Sequence, residues 1–155
     1  MNIAQSYNFR SISRLLSTSG EMTKEELGGL KHQGYEAVIN LLPNENKHAL
    51  PEEQEIIEAQ KIEYIHIPVD WSAPTEENYR AFVKAAAYTQ DKKTHIHCAA
   101  NWRVSAFYAL YAIESNIWST TTARKHINDL WNPKDFPVWK QFLENHGLTF
   151  YKQST

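Results

Sequence analysis

The chain of 155 residues contains a single cysteine, Cys98, and an arginine, Arg103, follows it after four intervening residues. The surrounding stretch, residues 95–105, reads His-Ile-His-Cys-Ala-Ala-Asn-Trp-Arg-Val-Ser. A cysteine thiolate is a strong nucleophile, and a guanidinium presents a planar fork of N–H donors that suits a phosphate or sulfur oxyanion. One short stretch therefore supplies both a nucleophile and a ligand for an anion.

The elements on either side place this stretch where a sheet binds ligands. Residues 94–98 read as a buried strand, and a helix is predicted from residue 103 to residue 117. Open α/β sheets bind ligands beyond the carboxyl ends of their strands. Amide N–H groups of the turn and the helix N-terminus converge there on an anion, and the same field favours a thiolate over a thiol. We therefore predict an anion site at the loop between this strand and this helix.

Strand and helix patterns alternate along the rest of the chain. Residues 13–19 read as a short strand, residues 35–42 form an apolar run of strand length, and residues 62–69 read as a second strong strand. Helices are predicted from a capping box at Thr23 to Gly34, from Pro51 as the first helical residue, from Thr75, and over residues 120–131 and 138–146. This alternation predicts one α/β domain over residues 1–155, with three α/β/α layers and a mostly parallel central sheet.

Charge and composition exclude several classes of protein. Sixteen basic and 18 acidic residues give a formal net charge of −2, which disfavours extended nucleic-acid binding. Residues 1–90 carry a net charge of −5 and residues 91–155 a net charge of +3, so an anion site is expected in the second part. No apolar run is long enough to cross a membrane, and no membrane partner is predicted.

The compartment is predicted from the same features. The first ten residues lack the apolar core of a signal peptide, and one cysteine cannot form an internal disulfide. We expect a cytoplasmic protein; a periplasmic location would follow if a signal segment had been removed.

The loop resembles that of a known family. His97, Cys98, Arg103 and Ser105 resemble the phosphate-binding loop of the cysteine-dependent tyrosine and dual-specificity phosphatases, whose signature is His-Cys-x5-Arg-Ser/Thr. Residues 34–41 and 64–69 are similar to two strands of a bacterial branch, a phosphatase-like domain also found attached to β-lactamase-like hydrolases. The resemblance covers roughly residues 13–115.

The loop departs from the main families in two ways. Four residues instead of five separate Cys98 from Arg103, so Val104 falls where the family arginine would fall; the bacterial branch often has the shorter spacing. The loop also lacks glycine, and Asn101 is the residue that best tolerates the left-handed backbone which a glycine would supply.

The resemblance implies a role for each residue of the site. Cys98 would be the nucleophile that forms a thiophosphate, and Ser105 would hydrogen-bond its sulfur. Asp70, which follows the strand predicted at residues 62–69, would be the general acid, because parallel strands end at the same edge of a sheet. His97 would orient the loop. The phosphate would be bound by the loop residues Ala99, Ala100, Asn101, Trp102, Arg103 and Val104.

Three functions remain open on the sequence. The first is hydrolysis of a phosphomonoester, either a phosphorylated small molecule or a phosphoprotein, by a monomer or homodimer without cofactor or metal. The second is a rhodanese-like sulfurtransferase or persulfide-handling protein that uses Cys98. The third is a non-catalytic phosphate-binding module, favoured by the glycine-free loop.

Several single residues also have two interpretations. Asp70 is either the acid or a cap of the following turn. His95 and His97 are interpreted as core and loop-orienting residues and not as a zinc site. Trp71 and Trp102 either stack on an aromatic substrate or pack against their neighbours.

Overall fold

A computed structural model of the chain describes residues 2–150, and its centre is a five-stranded sheet. The strands are β1 (Arg10–Ser13), β2 (Leu16–Ser19), β3 (Ala37–Asn40), β4 (Glu63–His66) and β5 (Thr94–His97). They lie in the order β1-β2-β5-β3-β4, and every neighbouring pair is parallel except the β1–β2 hairpin. The predicted α/β class with a mostly parallel sheet is confirmed, and β5, which leads to Cys98, is the central strand.

Six α-helices connect or follow the strands in the described part of the chain. They are α1 (Lys24–Gly28), α2 (Glu53–Ala59), α3 (Glu76–Tyr88), α4 (Trp102–Glu114), α5 (Thr120–Asn128) and α6 (Pro137–Asn145). Short 3-10 turns occupy Ile3–Gln5, Lys31–Gln33 and Pro133–Asp135. None of the helices within residues 2–150 has the length and apolar character needed to span a membrane.

Both faces of the sheet are covered, as the three-layer prediction requires. Successive side chains of a strand point to opposite faces. Val38 of β3 belongs to a buried cluster with Leu27 and Ile57, from the region of α1 and α2. Its neighbour Ile39 belongs to a second cluster with Phe82 of α3 and Phe107 of α4. The sheet therefore lies between two apolar cores.

Several predicted boundaries are wrong for identifiable reasons. Residues 13–19 are not one strand, because the chain turns at residues 14 and 15 and β1 precedes that turn. The strand β1 alternates exposed and half-buried residues, so its sequence lacks an apolar run. The helix predicted to reach Gly34 ends at Gly28 and is followed by a separate 3-10 turn, since two successive glycines weaken a helix.

Three helix ends also differ from the predictions. Pro51 lies in a turn, and α2 begins two residues later at Glu53. The helix α4 ends at Glu114 rather than residue 117, before a left-handed Asn116. The helix α5 ends at Asn128 rather than residue 131.

Candidate active site

The loop between β5 and α4 is held against β2 by backbone hydrogen bonds. The amide of Cys98 donates to the carbonyl of Ser19 at 3.3 Å, and the amide of Glu21 donates to the carbonyl of Ala99 at 2.8 Å. Cys98 itself is completely buried. The cysteine therefore lies at the base of the loop, at the carboxyl end of the central strand.

Gly20 allows this close approach. A Cβ atom at Gly20 would lie 2.6 Å from the carbonyl oxygen of Ala99 and 2.9 Å from the Cα of Ala100. Both contacts are with backbone, which cannot move aside as a flexible side chain would. Only glycine lets the end of β2 support the loop in this position.

Asn101 has the left-handed backbone that a glycine-free loop needs. Its φ is 67° and its ψ is 12°, and α4 begins at the next residue. The buried side chain donates from Nδ2 to the carbonyl of Asn8 at 2.9 Å and to Oγ1 of Thr18 at 3.0 Å. Asparagine enters this region more readily than most residues, and here its amide also fixes the outer side of the loop.

Arg103, and not Val104, is the residue that reaches the ligand side of the loop. Val104 is fully buried in the core between the sheet and the helices. Arg103 is 6% exposed, and its Nε donates to the carbonyl of Val69 at 2.8 Å. Its guanidinium carbon lies 5.5 Å from the centre of the Trp71 ring. The shorter spacing thus leaves the arginine facing the loop that follows β4.

Arg103 and Asp70 line the same open cavity, which has a volume of about 500 Å³. The other lining residues come from the loops after β3 and β4: Pro43, Glu45, Asn46, Pro68 and Trp71. Two loops at the carboxyl edge of the sheet and the start of α4 thus form one concave surface. This is the location expected for a ligand site in an open α/β sheet.

The Asp70 carboxylate is exposed and caps its own turn. It accepts hydrogen bonds from the Ser72 amide at 2.9 Å and from the Ser72 hydroxyl at 2.8 Å. These bonds to Ser72, with a smaller contribution from the charge of Arg103, hold the pKa of Asp70 below its usual value. Asp70 therefore forms the turn cap that the sequence offered as an alternative, and it faces the cavity as well.

His97 forms a buried ion pair or hydrogen bond with Glu53. Nε2 of His97 lies 2.6 Å from Oε2 of Glu53, and both residues are buried. This contact was not predicted from the sequence, although Glu53 and Ile57 are buried one helical turn apart on α2. An acidic residue on the apolar face of a helix signals a buried partner. The contact joins α2 to the residue that immediately precedes Cys98.

His95 belongs to a second buried network beneath the loop. Its Nδ1 lies 2.7 Å from the Ser17 hydroxyl and its Nε2 lies 2.8 Å from the Ser19 hydroxyl. Burial lowers the pKa of His95 well below its usual value, so the ring is neutral. Within residues 2–150 no three His, Cys, Asp or Glu side chains group as a metal site would need.

Ser105 is hydrogen-bonded to aromatic residues of the second core. Its hydroxyl donates to the carbonyl of Trp102 at 2.8 Å and accepts from the indole of Trp131 at 2.9 Å. In the described part of the chain, the Ser105 hydroxyl forms no hydrogen bond with the sulfur of Cys98. Its predicted role toward the sulfur stays a prediction.

Trp71 and Trp102 pack in an aromatic cluster beside the site. Their ring centres are 5.7 Å apart, and Trp71 also stacks on Trp139 at 4.9 Å. The indole of Trp139 donates to the carbonyl of Trp71 at 2.7 Å. The cluster holds the loop after β4 in place, and Trp71 also lines the cavity.

Comparisons with known proteins place this site in a family context. A family profile described as "DSP-PTPase phosphatase fused to NAD+ kinase" matches residues 6–134. Two crystal structures of DUF442 proteins from Shewanella putrefaciens CN-32, assigned as phosphatases, are similar in fold and sequence. One is 30% identical, covers 91% of this chain and 89% of its own, and has a TM-score of 0.81. The other is 28% identical, covers 96% and 98%, and has a TM-score of 0.84.

A more distant structure shares the fold. TpbA of P. aeruginosa, crystallised with pTyr, is 12% identical, covers 92% of this chain and 85% of its own, and has a TM-score of 0.70. A search of curated protein sequences found no match.

Proposed function

Because the chain belongs to the family of DSP-PTPase phosphatases fused to NAD+ kinase, it is a phosphatase, and we propose that it hydrolyses a phosphate monoester through a covalent intermediate on Cys98. The resemblance of the sequence to the cysteine-dependent phosphatases is confirmed by this membership. Of the predicted catalytic residues, Arg103 and Asp70 line the cavity, and Cys98 lies buried at the base of the adjacent loop.

In the first step the Cys98 thiolate attacks phosphorus. A sulfur–phosphorus bond forms, and the bond between phosphorus and the ester oxygen breaks. Because Nε of Arg103 already donates to Val69, the terminal amino groups of the guanidinium would contact the phosphoryl oxygens. The loop amides and the N-terminus of α4 supply further donors, and these groups stabilise charge in the transition state.

Asp70 would supply the proton that the leaving oxygen needs. It lines the cavity with Arg103 and reaches solvent, so it can lose and regain a proton. In the second step the Asp70 carboxylate would take a proton from water, which attacks phosphorus while the sulfur leaves as a thiolate. The Ser105 hydroxyl would turn from the Trp102 carbonyl toward the sulfur in this step. In this proposal Arg103 and the loop amides stabilise all of the charge, and no cofactor takes part.

The buried guanidinium of Arg103 is the observation that carries the proposal. A buried charge is costly unless it is paired, and among the described residues only the Val69 carbonyl accepts from it. A dianionic phosphate would complete the environment of Arg103. TpbA, which shares the fold, was crystallised with pTyr, and this supports a phosphorylated substrate.

Three assays on one preparation test the proposal against the two alternatives. We expect the wild-type chain to hydrolyse p-nitrophenyl phosphate and Cys98→Ser to lose turnover while still binding inorganic phosphate in calorimetry. Transfer of sulfur from thiosulfate to cyanide without phosphatase activity would instead identify a sulfurtransferase. Phosphate binding without either reaction would identify a binding module.

A further inference from the structure

The charges that line the cavity are unusual for a phosphate site. Among the described lining residues Arg103 is the one cation, and it is accompanied by two acidic residues, Glu45 and Asp70. Arg103 is almost fully buried and has already used Nε. The remaining N–H donors of Arg103 suffice for one phosphoryl group, and the described lining residues include no other cation that could bind a second phosphoryl group.

Neither carboxylate forms an ion pair with a basic side chain of residues 2–150, although the charge of Arg103 acts on Asp70 at longer range. Other acidic residues near this edge of the sheet are paired, such as Glu21 with His48 and Glu52 with Lys24. Glu45 forms no ion pair or hydrogen bond with a described residue, and Lys47, two residues later, is exposed and does not line the cavity. Asp70 is bonded only to Ser72, and its lowered pKa keeps it ionised at neutral pH.

The remaining walls are apolar or uncharged. Pro43 and Pro68 lie on the loops after β3 and β4, and Trp71 covers the guanidinium of Arg103. Such walls accept an organic group beside the phosphate. Asn46 is the one uncharged amide among the described lining residues, and these walls contain no cation that would hold a second anion.

We propose that the cavity selects phosphate monoesters that carry a positive charge close to the phosphate and no second anion, and that Glu45 determines this preference. This inference rests on the proposed phosphatase activity. Arg103 binds the single phosphoryl group, while Glu45 attracts a cationic neighbour and repels an anionic one. Near bulk water a charge pair about 4 Å apart changes affinity on the order of 5-fold.

The preference can be measured with pairs of substrates of similar size that carry opposite charges beside the phosphate. One pair is a phosphotyrosine peptide flanked by lysines and the same peptide flanked by glutamates. The other pair consists of two small alkyl phosphates, phosphoethanolamine and phosphoglycolate. We expect the cationic member to have the higher kcat/KM, with added salt reducing the difference. A preference in the peptide pair would indicate a phosphoprotein source, and a preference in the small pair would indicate a metabolite source.

Variants at Glu45 then separate this inference from the proposed function. Glu45→Gln should reduce the cationic-to-anionic ratio of kcat/KM several-fold, and Glu45→Lys should invert it. Glu58→Gln is a matched control, because Glu58 is exposed near the end of α2, toward the amino end of the sheet. Glu58→Gln should leave both this ratio and the hydrolysis of p-nitrophenyl phosphate, which has no flanking charge of this kind, unchanged.

The outcomes are distinguishable. Failure of the wild-type chain to hydrolyse p-nitrophenyl phosphate would contradict the proposed function. Hydrolysis of p-nitrophenyl phosphate with equal rates for both members of each pair, or a ratio that Glu45→Gln and Glu45→Lys leave unchanged, would overturn the inference alone.

Discussion

Arg103 links the start of α4 to the loop after β4. Its Nε donates to Val69, at the start of the Asp70 loop, and Arg103 itself lies in the first turn of α4. The guanidinium therefore has a fixed orientation before any ligand arrives. Preorganised donors contribute to catalysis because they need not reorganise as charge develops in the transition state.

Replacement of Arg103 should therefore impair turnover even where positive charge is kept. We expect Arg103→Ala and Arg103→Lys each to lower kcat/KM for p-nitrophenyl phosphate on the order of 10²-fold or more, since an ammonium cannot reproduce the planar fork. Arg124→Lys is the matched control: the Nε of Arg124 also donates to a backbone carbonyl, that of Thr149, but Arg124 does not line the cavity. Near wild-type turnover in Arg103→Lys would show that guanidinium geometry is unimportant.

Asp70 must be protonated to act as an acid, yet its hydrogen bonds favour the ionised form. The Ser72 hydroxyl and amide lower the pKa of Asp70, so the rate should fall with rising pH already in the acidic range. Ser72→Ala removes one donor to the carboxylate, which raises the pKa of Asp70 and should move the basic limb of the pH–rate profile to higher pH. Asp70→Asn should lack this limb altogether. If the basic limb lay at the same pH in Ser72→Ala and in the wild-type chain, Asp70 would not be the group whose titration produces it.

At the scale of the elements, the junction between β5 and α4 depends on one left-handed residue. Asn101 combines a positive φ with side-chain donation to Asn8 and Thr18. Asn101→Gly loses the donation but keeps the backbone freedom, whereas Asn101→Ala loses both. In the left-handed region a Cβ costs about 1–2 kcal/mol, and asparagine offsets part of this cost by local hydrogen bonding.

We therefore expect Asn101→Ala to be less stable than Asn101→Gly by about 1 kcal/mol in urea unfolding. Phosphate should also bind more weakly to Asn101→Ala, because the loop amides would no longer converge. Equal unfolding free energies for the two variants would mean that the backbone conformation at this position does not limit stability.

The helix α2 is joined to the site by the pair of His97 and Glu53, which lie 44 residues apart in sequence. This contact and the Gly20 contact place two further elements, α2 and β2, against the short loop. The loop is therefore supported from several sides, as a site that positions a nucleophile requires.

For the whole molecule, the buried His95 and the half-buried His126 should make stability depend on pH. Burial lowers the pKa of His95 well below its usual value and that of His126 to about 4. In the unfolded chain each would bind a proton near its reference pKa of about 6.5. The stability that these neutral rings contribute is therefore fully present above about pH 6.5 and is lost as pH falls toward the folded pKa values.

Urea unfolding between about pH 6.5 and pH 5 should show this loss, with a slope approaching about 1.4 kcal/mol per pH unit for each histidine. His126→Gln should remove about half of the slope attributable to the two rings. A pH-independent unfolding free energy across this range would contradict the neutral state of both histidines in the folded chain.

The architecture could be predicted because runs of apolar residues mark buried strands in the sequence. Strands β3 and β4 followed from such runs, and most helix starts followed from capping residues, as at Thr23 and Thr75. The strand β1 could not, since an exposed edge strand has little apolar sequence to mark it. Local signals define elements but not all of their ends.

The site could be predicted only where residues share one loop or follow neighbouring parallel strands, because such residues also lie close together in the structure. Cys98 and Arg103 share one loop, and Asp70 follows a parallel strand, so the sheet edge relates them. The partners Val69 and Glu53 were not predictable, because each contact depends on how distant segments pack. The same holds for Glu45, whose place in the cavity follows from the course of the loop after β3.

The most direct test of the account is to look for the phosphoryl group on Cys98 during turnover. The wild-type chain would be mixed with excess p-nitrophenyl phosphate, quenched in acid within the first turnover and digested for mass spectrometry. We predict one phosphoryl group on the peptide that contains Cys98, with a matching burst of nitrophenolate, and neither signal in Cys98→Ser. Steady hydrolysis with no phosphate on Cys98, and equal turnover by Cys98→Ser, would contradict the account.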